Sequence, residues 1–333
     1  MRPLRIVVMG TGPFAVPMFA ALRGSPHEVT ALVTRPDHAP PGRRPPANPM
    51  RAAAVTAGVP IMDPERVNEP AAVAAITDLR PDLFAVCDYG QILSAELLAV
   101  PPLGGVNLHG SLLPRHRGAS PVQWTIREGD ADAGVSVIHM TPALDAGNVL
   151  ATRTTPVGRR ETAAELERRL ADLGPAAVLE AIDRLVAAVD AGESVATCGT
   201  PQNAALATRA PRLTKADGIV DWTLAAPRIE RMRRALDPWP RATTFFTRGD
   251  GGPQRLVLED VEPVPADALP PMTSTIATSL PGTVLVADGD RLLVACGDGT
   301  ALAILRLVPE GRRSMSAADF LRGSPLLPGM RLG

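Results

Sequence analysis

The sequence holds only three cysteines, Cys87, Cys198 and Cys296, odd in number and far apart. That spacing gives neither a disulfide framework nor a thiolate zinc site, and it points to a reducing compartment, the cytoplasm. No His-x-x-x-His pair and no Cys/His cluster occurs, so no catalytic metal is expected. No apolar run reaches the roughly 20 residues of a membrane-spanning helix, and no membrane association is expected. The chain enters the short stretch Ile6-Val7-Val8-Met9 directly, without a signal-length segment. An excess of charge of one sign is also missing. With 34 Lys+Arg against 35 Asp+Glu the net charge is -1, so a nucleic-acid partner has to be met by a local group of arginines. Lysine is nearly absent, and its single occurrence, Lys215, reads as a coding preference for arginine. The sequence contains no internal repeat.

What is present is ordinary globular material, 45% hydrophobic and 21% charged over 333 residues. Single cores stop growing at roughly 250 to 300 residues, so two domains are expected. Up to about residue 150, short apolar strands alternate with helical stretches, the pattern of parallel β-α-β units. Strands are predicted over 6–9, 29–33, 83–87, 106–108 and 135–140, with helices starting near Pro17, Asn48, Glu69 and Ser94. The amphipathic stretch 161–191 is interrupted by Gly174-Pro175 and reads as two helices with a break. Residues 199–211 turn polar and small, as a linker does. Beyond them a helix is predicted over 229–236 and strands over 255–258, 283–286, 292–295 and 302–307, the spacing of a small β-barrel. The proline-rich piece 262–281 reads as a surface loop.

Gly10-Thr11-Gly12-Pro13-Phe14-Ala15 follows the first strand and formally satisfies a dinucleotide fingerprint. Pro13 removes a backbone donor, however, and no acidic residue stands about twenty positions on, so a tight strand-to-helix turn with some ligand contact is the stronger reading. The loop that contains Pro40-Pro41-Gly42-Arg43-Arg44-Pro45-Pro46 divides evenly between a solvated loop and a basic arm reaching phosphates and bases. Asn107 and His109 stand two apart at the end of a strand, so alternation sends both side chains to one face. That face lies at the carboxyl end of the strand, where open α/β sheets hold their ligands, and two donors there form a candidate oxyanion site. Leu112 and Leu113 could line a flat apolar pocket. Asp145, in Asp-Ala-Gly, reads locally as a turn carboxylate. His116, between Arg115 and Arg117, reads as a solvated loop residue, and His27, His38 and His139 show no ligand spacing.

Taken together, Asn107-Leu108-His109-Gly110-Ser111-Leu112-Leu113-Pro114-Arg115, Arg117-Gly118-Ala119-Ser120-Pro121-Val122-Gln123, Gly129-Asp130, Gly134-Val135 and Leu144-Asp145-Ala146-Gly147 resemble the 10-formyltetrahydrofolate-dependent formyltransferase family, in particular its branch acting on methionyl-tRNA. Further matches in order are Val33-Thr34-Arg35-Pro36-Asp37, Tyr89-Gly90, Asp221-Trp222, Asp237-Pro238-Trp239-Pro240 and the ending 315–321, so nearly the full chain is covered. Two positions depart from the family's usual pattern: Gly12-Pro13 stands where Pro-x is usual, and Asp88 where a small residue often precedes Tyr-Gly.

The resemblance implies an α/β fold, with an open, mostly parallel Rossmann-like sheet bearing helices on both faces, followed by a small C-terminal β-barrel of OB-like type. It assigns 1–200 to formyl transfer, 201–211 to a linker and 212–333 to a barrel that assists tRNA binding. It also implies Asn107, His109 and Asp145 as the catalytic residues, so that Asp145, a turn carboxylate by local composition alone, joins the site. Asn107 and a protonated His109 would donate to the oxyanion while Asp145 stabilises the imidazolium. Ser111, Leu112, Leu113 and Pro114 are implied to contact 10-formyltetrahydrofolate, and Arg43, Arg44 and the barrel to contact initiator methionyl-tRNA. A monomer is expected. The same core also serves sugar-nucleotide or glycinamide formyltransferases and a formyltetrahydrofolate hydrolase. The long second half speaks against the first two, the lack of room for a dehydrogenase domain against the third. A noncatalytic tRNA-binding protein could lose the Asn107, His109 and Asp145 set that this chain keeps.

Overall fold

The structure, a computed structural model, describes residues 3–38, 47–247, 251–265, 279–324 and 326–333. The chain forms two compact units. The first comprises Met1–Val122, Asp132–Pro156 and Glu165–Pro211, the second Gln123–Ala131, Val157–Ala164 and Arg212–Gly333.

In the first unit, β1 (Arg5–Met9), β2 (Glu28–Val33), β3 (Ile61–Met62), β4 (Leu83–Val86) and β5 (Gly105–His109) are parallel. Then β6 (Asp132–His139) and β7 (Val149–Pro156) add on antiparallel. The order is β3-β2-β1-β4-β5-β6-β7, so the sheet reverses its direction of growth between β1 and β4. Such a switch point opens the crevice in which α/β sheets take ligands. The central strands β1, β2 and β4 are almost wholly buried, which explains their mostly apolar composition. Two helices of this unit begin at side-chain caps. The Asn48 side chain accepts from Arg51 N at 3.0 Å ahead of α2 (Pro49–Ala57), and Ser94 accepts from Leu97 N at 3.1 Å ahead of α4 (Ala95–Leu98). Between β1 and β2 runs α1 (Val16–Arg23). On one face of the sheet α3 (Pro70–Asp78) and α4 bury Val73, Ile76 and Leu97 against Val7, Met9, Phe84 and Val86.

The opposite face corrects an expectation. In place of two helices broken at Gly174-Pro175 there is one, here α6 (Ala163–Asp190), which runs through Pro175. Proline in a helix interior forfeits a hydrogen bond and costs about 3 kcal/mol. Against that, Leu166, Leu170, Val178, Ile182 and Leu185 lie buried along the helix, each contributing roughly 1.5–3 kcal/mol. Gly174 fits the sheet closely, since a Cβ there would stand 2.5 Å from Leu108 Cδ2.

The second unit includes α5 (Pro121–Glu128) from Gln123 onward and is built on an antiparallel sheet ordered β10-β11-β12-β9-β8, with β13 on β12. The strands are β8 (Thr243–Thr247), β9 (Pro253–Val264), β10 (Val284–Asp288), β11 (Arg291–Ala295), β12 (Ala301–Pro309) and β13 (Met315–Ser316). The β9–β12 register shifts on both sides of Arg306, and such bulges bend a sheet. The sheet curls into the small OB-like half-barrel expected. Its two edges are laced by the last residues, where Leu332 N donates to Gly282 O at 2.8 Å and Gly333 N to Phe245 O at 2.9 Å. The core contains Trp222, Phe246, Leu256 and Phe320, packed with α7 (Ala226–Ala235) and α8 (Ala317–Gly323). Sequence periodicity assigns no element to β3, α5, β7, β8, β13 or α8. Of the proline-rich piece, 262–264 extend β9, and 266–278 lie outside the described residues. Among the described residues no helix is long and apolar enough to cross a membrane.

Candidate active site

Strand β5 ends beside the β1/β4 switch point, and its alternation turns Asn107 and His109 to one face, opposite Ile138 and Ser136 of β6. Asp145 arrives from the turn between β6 and β7, 38 positions from Asn107 in sequence. Its backbone lies in the left-handed region at φ 50, which Asp tolerates better than most L residues. Two positions on, Gly147 is obligatory, because a Cβ there would meet the His139 carbonyl oxygen at 1.7 Å.

Around the Asp145 carboxylate the three side chains meet. Asn107 Nδ2 stands 3.5 Å from Oδ1, the Gly118 amide donates to Oδ2 at 2.9 Å, and His109 Nδ1 lies 3.8 Å from Oδ2. His109 Nε2 is 2.9 Å from the His116 carbonyl oxygen, which only accepts, so the proton of the neutral ring sits on Nε2 and Nδ1 carries the lone pair. His109 is 5% exposed, and burial holds its pKa below the ordinary 6.5 against the opposing pull of Asp145 and of the His116 hydrogen bond. Burial thus disfavours the charged ring, while the Asp145 carboxylate and the His116 carbonyl favour it. Asn107 is half-buried and retains a face to solvent.

The loop 111–115 is tight and buried at its start. Ser111 Oγ donates to Arg115 O at 2.7 Å, and the Ser136 hydroxyl both donates to Ser111 O at 2.8 Å and accepts from Leu113 N at 3.1 Å. Ser111 thus spends its hydroxyl on the loop itself, while Leu112 packs over Gly134. Leu113 and Pro114 remain half-buried. His116 corrects an expectation. Rather than solvated it is 2% exposed, its amide donating to Thr208 Oγ1 at 2.8 Å and its carbonyl holding His109.

Residues that sequence reasoning misses come from the irregular stretch 199–211. Gln202 bonds both the Asp145 turn and Arg117, and Thr208 bonds His116. Polar, small composition resembles a linker whether or not its side chains are in use, so only the tertiary contacts reveal them. The two departures from the family pattern turn out to be joined. The Asp88 carboxylate lies over Gly12, with Oδ2 1.7 Å from where a Cβ on residue 12 would be. Arg43 and Arg44 lie outside the described residues. Among the described residues no group of three metal-ligating side chains occurs.

The profile of the formyl transferase family matches residues 4–182, and that of the formyl transferase C-terminal domain matches 212–325. The methionyl-tRNA formyltransferase of Rhodopirellula baltica is 41% identical over 99% of this chain and 96% of its own length, and that of Roseiflexus castenholzii 42% over 99% of both. The chain belongs to the methionyl-tRNA formyltransferase family. Among solved structures, the sugar 3N-formyl transferase WlaRD shares the fold at TM-score 0.61 with 12% identity, over 94% of this chain and all of that one. HypX from Aquifex aeolicus, solved with tetrahydrofolic acid, shares it at 0.56 with 20% identity, over 96% of this chain and 47% of HypX. In this member of the methionyl-tRNA formyltransferase family, Gly12 and Asp88 form one spatial unit.

Proposed function

We propose that the chain transfers the formyl group of 10-formyltetrahydrofolate to the α-amino group of methionyl-initiator tRNA, supplying translation initiation in the cytoplasm. The observation that carries this reading is the convergence of Asn107, His109 and Asp145 at the ligand edge of the sheet, in a member of this family.

In this reading Asn107 donates Nδ2–H to the formyl oxygen as negative charge develops there. His109 Nδ1, the free lone pair, takes the proton that the amine sheds as the new N–C bond forms. Asp145 Oδ2 faces the resulting imidazolium across 3.8 Å and stabilises it. The proton then passes to N10 of the folate as the C–N10 bond breaks, so the step balances without any further reactant. The attacking amine needs no strong base, because its ordinary pKa is about 8. Removing one oxyanion donor costs about 2.7–4 kcal/mol in such sites.

Residues 1–200 form the transfer domain, and 212–333 assist in binding tRNA, joined by 201–211. The folate lies along Ser111, Leu112, Leu113 and Pro114. Leu113 and Pro114 offer apolar surface, and Ser111 and Leu112 hold the loop in shape. Arg43 and Arg44 contact tRNA phosphates, and the enzyme acts as a monomer. The test is transfer of labelled formyl to methionyl-initiator tRNA, methionyl-elongator tRNA and free methionine. Preferential labelling of the first is expected, and labelling of none of them would sink the reading.

A further inference from the structure

We infer that Gln202 is a positioning residue of the transfer site: its carboxamide clamps the Asp145 turn to the 116–118 turn and so sets how Asp145 meets His109. The inference deepens the proposed function and rests on it. Every polar position of the carboxamide is used. Nε2 donates to the carbonyl oxygens of Asp145 at 2.9 Å and Gly147 at 2.8 Å, while Oε1 accepts from Arg117 Nε at 3.1 Å and Nη2 at 2.7 Å. Carbonyls only accept and a guanidinium only donates, so the amide has a single orientation.

Arg117 stands between the two residues that hold the site. On one side His116 presents its carbonyl to His109 Nε2, and on the other Gly118 gives its amide to Asp145 Oδ2. The clamp thus joins the backbone of Asp145 to the turn that orients both Asp145 and His109. Asp145 needs such a brace, because its left-handed backbone is a costly conformation that persists only where the surroundings over-determine it. Thr208, from the same stretch 199–211, braces the 116–118 turn again by accepting from His116 N at 2.8 Å. Asp145 and His116 are the titratable groups acting on His109, and Asp145 raises its proton affinity.

A residue that merely holds the fold together would lower stability and leave the titration of His109 untouched. Gln202→Glu keeps the length and the contact with Arg117 but cannot donate to the two carbonyls. Gln202→Ala removes the clamp entirely. In both variants the kcat of formyl transfer is expected to fall about tenfold to a hundredfold, with KM for folate and tRNA little changed, as for a group displaced by about 1 Å. In Gln202→Ala the acid limb of the kcat profile moves to lower pH, because the Asp145 charge is no longer held near His109. Titrating the His109 imidazole by NMR reads the same shift with no acceptor present. The clamp is thereby tested even if the wild-type chain fails to formylate methionyl-tRNA, an outcome that removes the proposed function and not the clamp. Folded variants with wild-type kcat and wild-type His109 titration, or with a loss confined to melting temperature or to KM, would overturn the inference.

Discussion

His109 shows how a single hydrogen bond assigns a chemical role. Because Nε2 is committed to the His116 carbonyl, only Nδ1 is left to exchange protons, and that nitrogen faces Asp145. The placement of Asn107 and His109 on one face follows from strand alternation alone. That of Asp145 does not, since its meeting with them depends on a turn 38 positions away, and local composition makes Asp145 a turn carboxylate. Gln202 is less legible still, being one polar residue in a stretch of polar and small ones. At this scale the joined departures give a prediction. Gly12→Ala forces the Asp88 carboxylate to move, and overpacking of this kind costs about 1–3 kcal/mol. Asp88→Ala relieves it, so urea unfolding of both single variants and the double variant should yield a coupling energy of about 0.5–3 kcal/mol. Additive effects would show that the two side chains do not share the space.

Elements are legible in the sequence where their own residues dictate them. The buried strands β1 and β4 carry apolar runs, and Asn48 and Ser94 announce their helices by capping them. Legibility fails where packing overrides local preference, as in α6, whose buried stripe carries the helix through Pro175. The short strand β13 gains its identity from pairing with β12 rather than from periodicity. If burial and not backbone preference sustains α6, then Pro175→Ala restores an N–H to the helix while removing only ring atoms of a half-buried side chain. Its stability should rise by about 1–2 kcal/mol, the lost helix bond outweighing the smaller entropy that proline removes from the unfolded chain. Thermal melting is the measure, and a lower melting temperature would show that the proline is favoured where it stands.

For the whole molecule, the near-zero net charge leaves pH sensitivity to a few buried groups. Burial lowers the pKa of His27, His109 and His139 below their ordinary 6.5. Below 6.5 the unfolded chain binds protons that the folded one refuses, so the stability these residues contribute is complete above 6.5 and is lost as pH falls through and below it. Glu167, whose pKa is raised by burial and by Asp88, acts in the opposite sense from its ordinary 4.5 upward. With three histidines against one glutamate, chemical denaturation should give a lower unfolding free energy at pH 5.5 than at pH 7.5. Equal or greater stability at the lower pH would mean that these imidazoles are charged in the fold.

The most direct test is single-turnover formyl transfer from 10-formyltetrahydrofolate to methionyl-initiator tRNA by the wild-type chain and by Asn107→Ala and Asp145→Ala variants that still bind folate. The three residues acting together predict rapid transfer by the wild type and a loss of about a hundredfold or more in each variant. Near-native rates in both variants would contradict that assignment.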